Sequence, residues 1–472
     1  SLPIFLVPYN KNNINFIKTT TDLYVTFRFK NWDSKHPIGI LNHNLGEVSN
    51  FSAYCEYRLY CKNLQHSITK FNKETCKCIK SKPEKLWINS ILDRYSDIED
   101  RRDKFIMTID PNGSRDLDDA IGIEIISPRE TKLSVYIANV TLWIDILGLW
   151  DSLSQRVSTI YLPKIKKAML PSVLSEKICS LLKDETRVAF TMDIHIDTVN
   201  NEVTDIKYLN TLIIVKQNYS YEQTVLIHSP VYKTIYNTCR SLVGSYPYLN
   251  EIKDSHDLVA YLMIFMNHQV ALNLKQRDNG IFRTQLFTQT PEKKVPSEIS
   301  SFIKLWKYSE GKYTLNCGDK GHALVGNGLD TYAHITSPIR RLVDLLNMVQ
   351  FQKNLGFFES ETASLFLLKW SCKIDEINDS MKSIRKIQND CQLLYMLETN
   401  LEILNKKYDA YIFDKTEYKR DIFNYSVYIP ELKLVSKLKS SCDYVQYHKD
   451  TVKIYLFSNE NNVKRKIRIE VV

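Results

Sequence analysis

The sequence predicts an α+β, multidomain fold, in which a mixed α/β central domain is flanked by two small β barrels. Three observations carry this. At 472 residues the chain is long enough to bury more than one core. Near both ends apolar residues recur at every second position, first in Tyr24-Val-Thr-Phe-Arg-Phe29, then at Phe423, Tyr425, Val427 and Ile429, and again at Ile467, Ile469 and Val471. Between those ends helical stripes dominate, at Val259, Leu262, Phe265, Met266, Val270 and Leu274 and at Ile377, Met381, Ile384, Cys391, Leu394 and Leu401.

Taken in order, residues 1–81 read as a barrel of short strands, with His36-Pro-Ile-Gly39 and Asn44-Leu-Gly46 as turns. Residues 82–103, with Pro83, Trp87 and the charged run Glu99-Asp-Arg-Arg-Asp103, read as a linker over the surface. Residues 104–405 form the central domain. It opens on a buried strand over 105–110, a turn, and a second strand over 120–126, followed by strand 135–140 and a packing helix over 256–275. A further helix is predicted to begin at Thr336 or Ser337, with Pro338, Arg340 and Arg341 in its first turn and Ile339, Leu342, Leu346 and Val349 facing the core. A long helix over 376–404 ends the domain, and residues 406–472 return to strands.

The net charge is +9, from 63 basic and 54 acidic residues. A basic chain that concentrates its acids in one turn suggests a polyanionic substrate brought to a metal, with nucleic acid the leading candidate. Ten cysteines at irregular spacing read as reduced thiols, consistent with a cytoplasmic or nuclear protein. Cys55, Cys61, Cys76 and Cys78 are a candidate zinc set, but their spacing matches no common pattern. No run of eighteen apolar residues and no signal peptide is present, so neither a membrane span nor secretion is expected.

The chemistry concentrates in Asp110-Pro-Asn-Gly-Ser-Arg-Asp116-Leu-Asp118-Asp119. Four carboxylates in one short turn repel one another unless cations sit between them, so the direct reading is a divalent metal site. An EF-hand does not fit, because Gly113 falls too early and Ile121 stands where a bidentate glutamate belongs. Far downstream, a helix start carrying Arg340 and Arg341 offers backbone N–H groups and guanidinium groups to a phosphate.

Thr108-Ile-Asp-Pro with Asp116-Leu-Asp-Asp-Ala120, and Tyr332-Ala-His-Ile-Thr-Ser-Pro-Ile-Arg-Arg-Leu-Val-Asp344, resemble the two hallmarks of the RNB domain, the catalytic domain of the ribonuclease II and ribonuclease R family. Arg156 and Thr159-Ile-Tyr161-Leu-Pro163 are similar to the family segment whose tyrosine stacks on the 3′-terminal base, and Gly280-Ile-Phe-Arg-Thr284 to the segment carrying Arg283. The run Asn31-Trp-Asp-Ser-Lys-His-Pro-Ile-Gly39 resembles the cold-shock-type OB domain of the exosome catalytic subunit, and residues 406–472 look like an S1-type OB domain. The chain departs from the family at Tyr136 and Asn139, where His and Asp are usual, and is shorter between Arg283 and His322, which puts helical decoration there in doubt.

The resemblance implies a monomeric enzyme that hydrolyses single-stranded RNA from its 3′ end, releasing nucleoside 5′-monophosphates by two-metal catalysis with Mg²⁺, or Mn²⁺. It implies Asp110, Asp116 and Asp119 as metal ligands, Asp118 completing the metal site and the catalytic set, and Arg340 on the scissile phosphate. Tyr161, Arg156, Arg283 and Arg341 would hold substrate. It further implies domains upstream and exosome-like or other protein partners. Two alternatives stay open: an inactive RNA-binding scaffold that kept the fold, and a deoxyribonuclease with the same metal chemistry.

Overall fold

The computed structural model describes residues 3–8, 22–95, 97–284, 295–300, 302–303, 306, 311–315, 329–419, 421–458 and 465–472. Its strands are β1 (Leu23–Asn31), β2 (Ile38–Glu47), β3 (Ile98–Asp100), β4 (Ile106–Asp110), β5 (Asp119–Ser127), β6 (Glu130–Ala138), β7 (Ile160–Leu162), β8 (Ile165–Lys167), β9 (Thr186–Asp197), β10 (Glu202–Ile214) and β11 (Gln217–Ser220). After these come β12 (Phe282–Thr284), β13 (Lys312–Thr314), β14 (Lys407–Lys419), β15 (Ile422–Ile429), β16 (Leu434–Ser440), β17 (His448–Ser458) and β18 (Arg465–Val471).

The centre is a seven-stranded sheet in the order β11-β4-β5-β6-β9-β10-β3. Its strands alternate in allegiance, as a sheet buried on both faces must. Leu133, Val135 and Ile137 of β6 join the core under helices Pro230–Leu242 and Ser255–Gln276, while Tyr136 and Ala138 join the opposite core with helix Val140–Ile146. The helix expected over 256–275 is therefore present as Ser255–Gln276, and all six of its predicted apolar positions are buried.

The N-terminal expectation changes. Among the described residues of 1–81 there is an antiparallel hairpin, β1 with β2, followed by helices Phe51–Tyr60 and Thr69–Lys80 in place of further barrel strands. Phe51, Tyr54, Cys55 and Leu59 recur at helical spacing and are buried, and the Asn50 side chain caps the first helix by accepting from Ser52 and Ala53 N–H. The expected linker is also structured, as helix Glu84–Arg94 and β3. Arg101, read as part of a solvated charge run, is 3 % exposed and donates two bonds to Asp193, at 2.8 and 2.6 Å. Its guanidinium fits that carboxylate bidentately, which is how an arginine is tolerated in a core.

At the C-terminus the strand order is β16-β15-β14-β17-β18, and β16 also contacts β18, closing a five-stranded barrel of the OB type. The long helix runs Ile374–Thr399, so Leu401 falls beyond it and is exposed. The proposed zinc cysteines do not gather. Cys55 is buried against Cys391 of the long helix, Cys78 points at the Leu147 carbonyl at 3.7 Å, and Cys61 is exposed. His322 lies outside the described residues, and Arg468 of β18 is exposed and paired with Glu470 at 2.9 Å.

Candidate active site

β4 and β5 are neighbours in the sheet, and the acidic turn is the connection between them. Asp110 is the last residue of β4 and Asp119 the first of β5, so both leave the sheet at the same edge. The turn itself bends at Gly113, whose φ of +80° suits a residue without Cβ. Its return limb is tied down by Ser180, which accepts from Leu117 N–H at 3.0 Å and donates to the Arg115 carbonyl at 2.8 Å, with Leu117 buried as a plug.

The segment carrying Arg340 differs from its prediction in a way that builds the site. Residues 338–340 form a separate tight turn, Arg341 is extended, and the helix runs Leu342–Asn354. The reason is backbone competition. Thr159 N–H donates to Arg340 O at 2.9 Å and Leu342 N–H to Val157 O at 2.9 Å, so residues 340–342 pair with the strand entering β7 before the helix begins. The N–H groups expected to await a phosphate are already used. Ile339 N–H goes to Asp118 at 2.8 Å and Ser337 N–H to Asp344 at 2.8 Å. The predicted stripe Ile339, Leu342, Leu346 and Val349 is buried as expected.

These elements meet in one cleft of ≈ 770 Å³ lined by Asp110, Asp116, Asp118, Asp119, Tyr161, Tyr221, His256, Arg340 and Arg341, among others. Asp118 is buried and holds Arg340 Nε at 3.0 Å. Asp116 accepts from Tyr161 Oη at 2.5 Å and Lys166 Nζ at 2.9 Å. Arg341 pairs with Asp344 at 2.8 Å. Arg156 and Arg283 are not among the lining residues. Arg156 donates to the carbonyls of His66 and Ala168, at 2.8 and 2.5 Å, stitching the N-terminal unit to the loop after β8. Arg283 lies on β12 with its backbone on Tyr332.

Desolvation pushes Asp110 up to about 7, reinforced by the Asp118 and Asp116 charges, and lifts Asp119 equally, reinforced by Asp110. It also raises Asp118 to about 7 although Arg340 and Ile339 N–H oppose it. One oxygen of Asp110, Oδ2, is buried without a hydrogen-bond partner in the described residues. Two hard oxygen donors that burden each other, one of them orphaned, suit a divalent cation. Among the described residues no three acidic, His or Cys groups already form a cage. Asp116 and Asp118 spend their charge on Lys166 and Arg340, which leaves Asp110 and Asp119 as the pair that fits a cation.

A carboxyl whose pKa folding raises binds its proton more tightly in the folded chain, so its contribution is largest at low pH and is lost as pH rises through about 7. With chelator present, the melting temperature should therefore fall between about pH 5 and 8, and Mg²⁺ should flatten that fall. A chelated protein that grows more stable over this range would contradict the carboxylate assignment.

Several site residues gave no sequence signal. Lys166 and Glu176 form the cationic bridge beside Asp116, 2.9 Å apart. Met263 and Ile264, off the predicted stripe of helix Ser255–Gln276, supply an apolar wall together with Val259 of that stripe. Asn267 of the same helix accepts from Ile335 N–H at 2.9 Å and donates to Tyr332 Oη at 3.0 Å, fixing the segment that leads to Arg340. The unusual Tyr136 and Asn139 lie away from the cleft: Asn139 caps helix Val140–Ile146 and bonds Asn210 at 2.8 Å.

Residues 98–233 match the family model described as the RNB domain. The DIS3-like exonuclease 2 of Schizosaccharomyces pombe is 32 % identical over 174 residues, which are 36 % of this chain and 18 % of that protein. This chain thus spans less than a fifth of the relative's length. Among solved structures, Mycoplasma genitalium RNase R in complex with ribose methylated single-stranded RNA superposes with a TM-score of 0.72 at 17 % identity, covering 99 % of this chain and 85 % of that one. Yeast Ssd1, a pseudonuclease, superposes with a TM-score of 0.60 at 15 % identity, covering 88 % and 59 %. A family match laid over the acidic turn, and a fold shared with RNase R along almost the whole chain, make this chain similar to RNB-domain proteins.

Proposed function

We propose that this chain is a hydrolytic 3′→5′ exoribonuclease that shortens single-stranded RNA to nucleoside 5′-monophosphates in a Mg²⁺- or Mn²⁺-dependent reaction. The single observation that carries the reading is convergence. Carboxylates from the β4–β5 turn, Tyr161 from β7 and Arg340 from a segment more than 200 residues away line the same cleft. A divalent cation bound at Asp110 and Asp119 would supply an activated water and neutralise charge on the phosphorane.

The chain's own residues do the rest. Arg340 keeps Nε on Asp118 and directs a second nitrogen to Ser337 Oγ at 3.0 Å, yet its side chain is 44 % exposed, so the guanidinium is oriented toward the cleft while still reachable by a phosphate. Tyr161 is 42 % exposed and its ring is steadied through Oη, a platform that accepts any base. Val259, Met263 and Ile264 line the same cleft and would limit the water in it.

A second reading has its own observation. Lys166 and Arg340 already neutralise two of the four carboxylates, and one structural neighbour is a pseudonuclease, so a silent RNA-binding scaffold competes with the enzyme. One assay separates them. With 5′-labelled RNA and DNA, and Mg²⁺, Mn²⁺ or chelator, the nuclease reading expects a metal-dependent ladder on RNA alone. RNA that is bound but intact in every lane favours the scaffold. In the same assay Tyr161→Ala should raise KM about tenfold and change kcat little, because one stacking platform is lost while the carboxylates stay. Tyr161→Phe should keep the wild-type KM within about threefold, since the ring face is unchanged.

A further inference from the structure

The C-terminal barrel has two aromatic surfaces, and only one of them is its core. Along β14, Tyr408, Ala410 and Ile412 point into the barrel interior, whereas the alternate residues Tyr411 and Phe413 point outward. On β15 the same alternation sends Tyr425 and Val427 inward and Tyr428 outward, directly opposite Tyr411 in the register. Val435 of β16 and Tyr447 extend this outer face. An OB barrel that displays aromatic rings on these strands has the form of a single-stranded nucleic-acid platform.

Here the platform is covered by the chain itself. Phe302 lies on Tyr428 with ring centroids 3.5 Å apart and planes 2° from parallel, which is the geometry of a stacked base. Trp306 meets the Phe413 ring at 5.8 Å and donates Nε1–H to Asp414 at 2.7 Å. Ile299 and Ile303 are buried against the same rings. Beside the stack Glu298 accepts from Tyr411 Oη and lies 3.8 Å from Lys449, whose ammonium also pairs with Asp409 at 3.2 Å. A flat ring on Tyr428 with a carboxylate at Tyr411 and Lys449 reproduces the order of groups that a nucleotide would offer: a base on a ring, and an anion one step away.

We propose that the segment carrying Glu298, Ile299, Phe302, Ile303 and Trp306 is a built-in competitor of single-stranded RNA for the outer face of the C-terminal barrel. The inference rests on the nucleic-acid reading of the cleft, and adds to it a second surface whose access is governed within the chain. RNA that reaches Tyr428 must displace Phe302, so the affinity of the intact protein is reduced by the fraction of molecules in which the face is covered.

Binding is read on the full chain with chelator, using a fluorescein-labelled 20-nucleotide oligouridylate. The double variant Phe302→Ala with Trp306→Ala should bind about fivefold more tightly than the wild type, and adding Tyr428→Ala should abolish that gain. Unchanged or weaker binding by a cooperatively melting double variant would overturn the proposal, because the segment would then be packing only. A measurement on the unaltered chain guards against a variant that fails to fold. Adding the oligouridylate should accelerate hydrogen exchange in peptides spanning 295–306, and slower or unchanged exchange there would equally overturn it. RNA cleavage by a double variant with unaltered binding defeats this inference alone. The fivefold gain without cleavage by any form defeats only the nuclease reading.

Discussion

Arg340→Ala should lower kcat for RNA cleavage by roughly 10²–10³-fold while KM rises less, the signature of a donor that matters most where charge develops. Arg340 Nε is locked on Asp118, which in turn holds Ile339 N–H, so the guanidinium is pre-oriented before substrate arrives. Arg340→Lys should restore only part of the loss, since one ammonium cannot keep the Asp118 contact and present a planar fork to phosphate. Steady-state kinetics on a labelled oligoribonucleotide checks both. A KM effect with kcat intact would make Arg340 a simple binding cation, and full activity in Arg340→Lys would remove the argument from its shape.

Asp119→Asn should show two effects of opposite sign. Metal-dependent cleavage should fall by at least roughly 10³-fold, because the cation pair Asp110 and Asp119 loses one hard donor. Yet the melting temperature of the variant in chelator at pH 8 should exceed that of the wild type by at least about 3 °C. The carboxylate it replaces is desolvated and faces Asp110, so it is a charge the fold carries at a cost. Mg²⁺ should then stabilise the variant much less than the wild type. Calorimetry with and without Mg²⁺ decides the matter, and equal Mg²⁺ stabilisation in both proteins would move the cation elsewhere.

Much of the site was legible because its parts are local. Asp110 and Asp119 sit at the ends of two strands whose apolar runs are plain in the sequence, and the turn between them reads directly as an acidic connection where the strands leave the core. Ile339, Leu342, Leu346 and Val349 announced a core-facing helix for the same reason. What could not be read is pairing at long range. The helix start shifted from Ser337 to Leu342 because residues 157–159 claim the backbone there, and Asp116 turned inward to Lys166 across 50 positions. Arg101 looked like one charge in a solvated run because its partner, Asp193, lies 92 residues away. The N-terminal helices are a different case. Their spacing at Phe51, Tyr54, Cys55 and Leu59 was visible, but the clear alternation of β1 was extended too far along the chain.

The ladder between residues 157–159 and 340–342 has one more consequence. Ser158 Oγ and Thr159 N–H both bond the Arg340 carbonyl at 2.9 Å, and Tyr161 follows two residues later. The separation between the arginine and the tyrosine is thus set by main chain, as in a caliper whose jaws are side chains but whose frame is backbone. Exchanging either side chain alters how firmly the jaws grip and leaves their spacing alone. Only a change in the number of residues between Thr159 and Tyr161 would reset the gauge, and with it, on the proposed roles of the two side chains, the length of strand that fits between them.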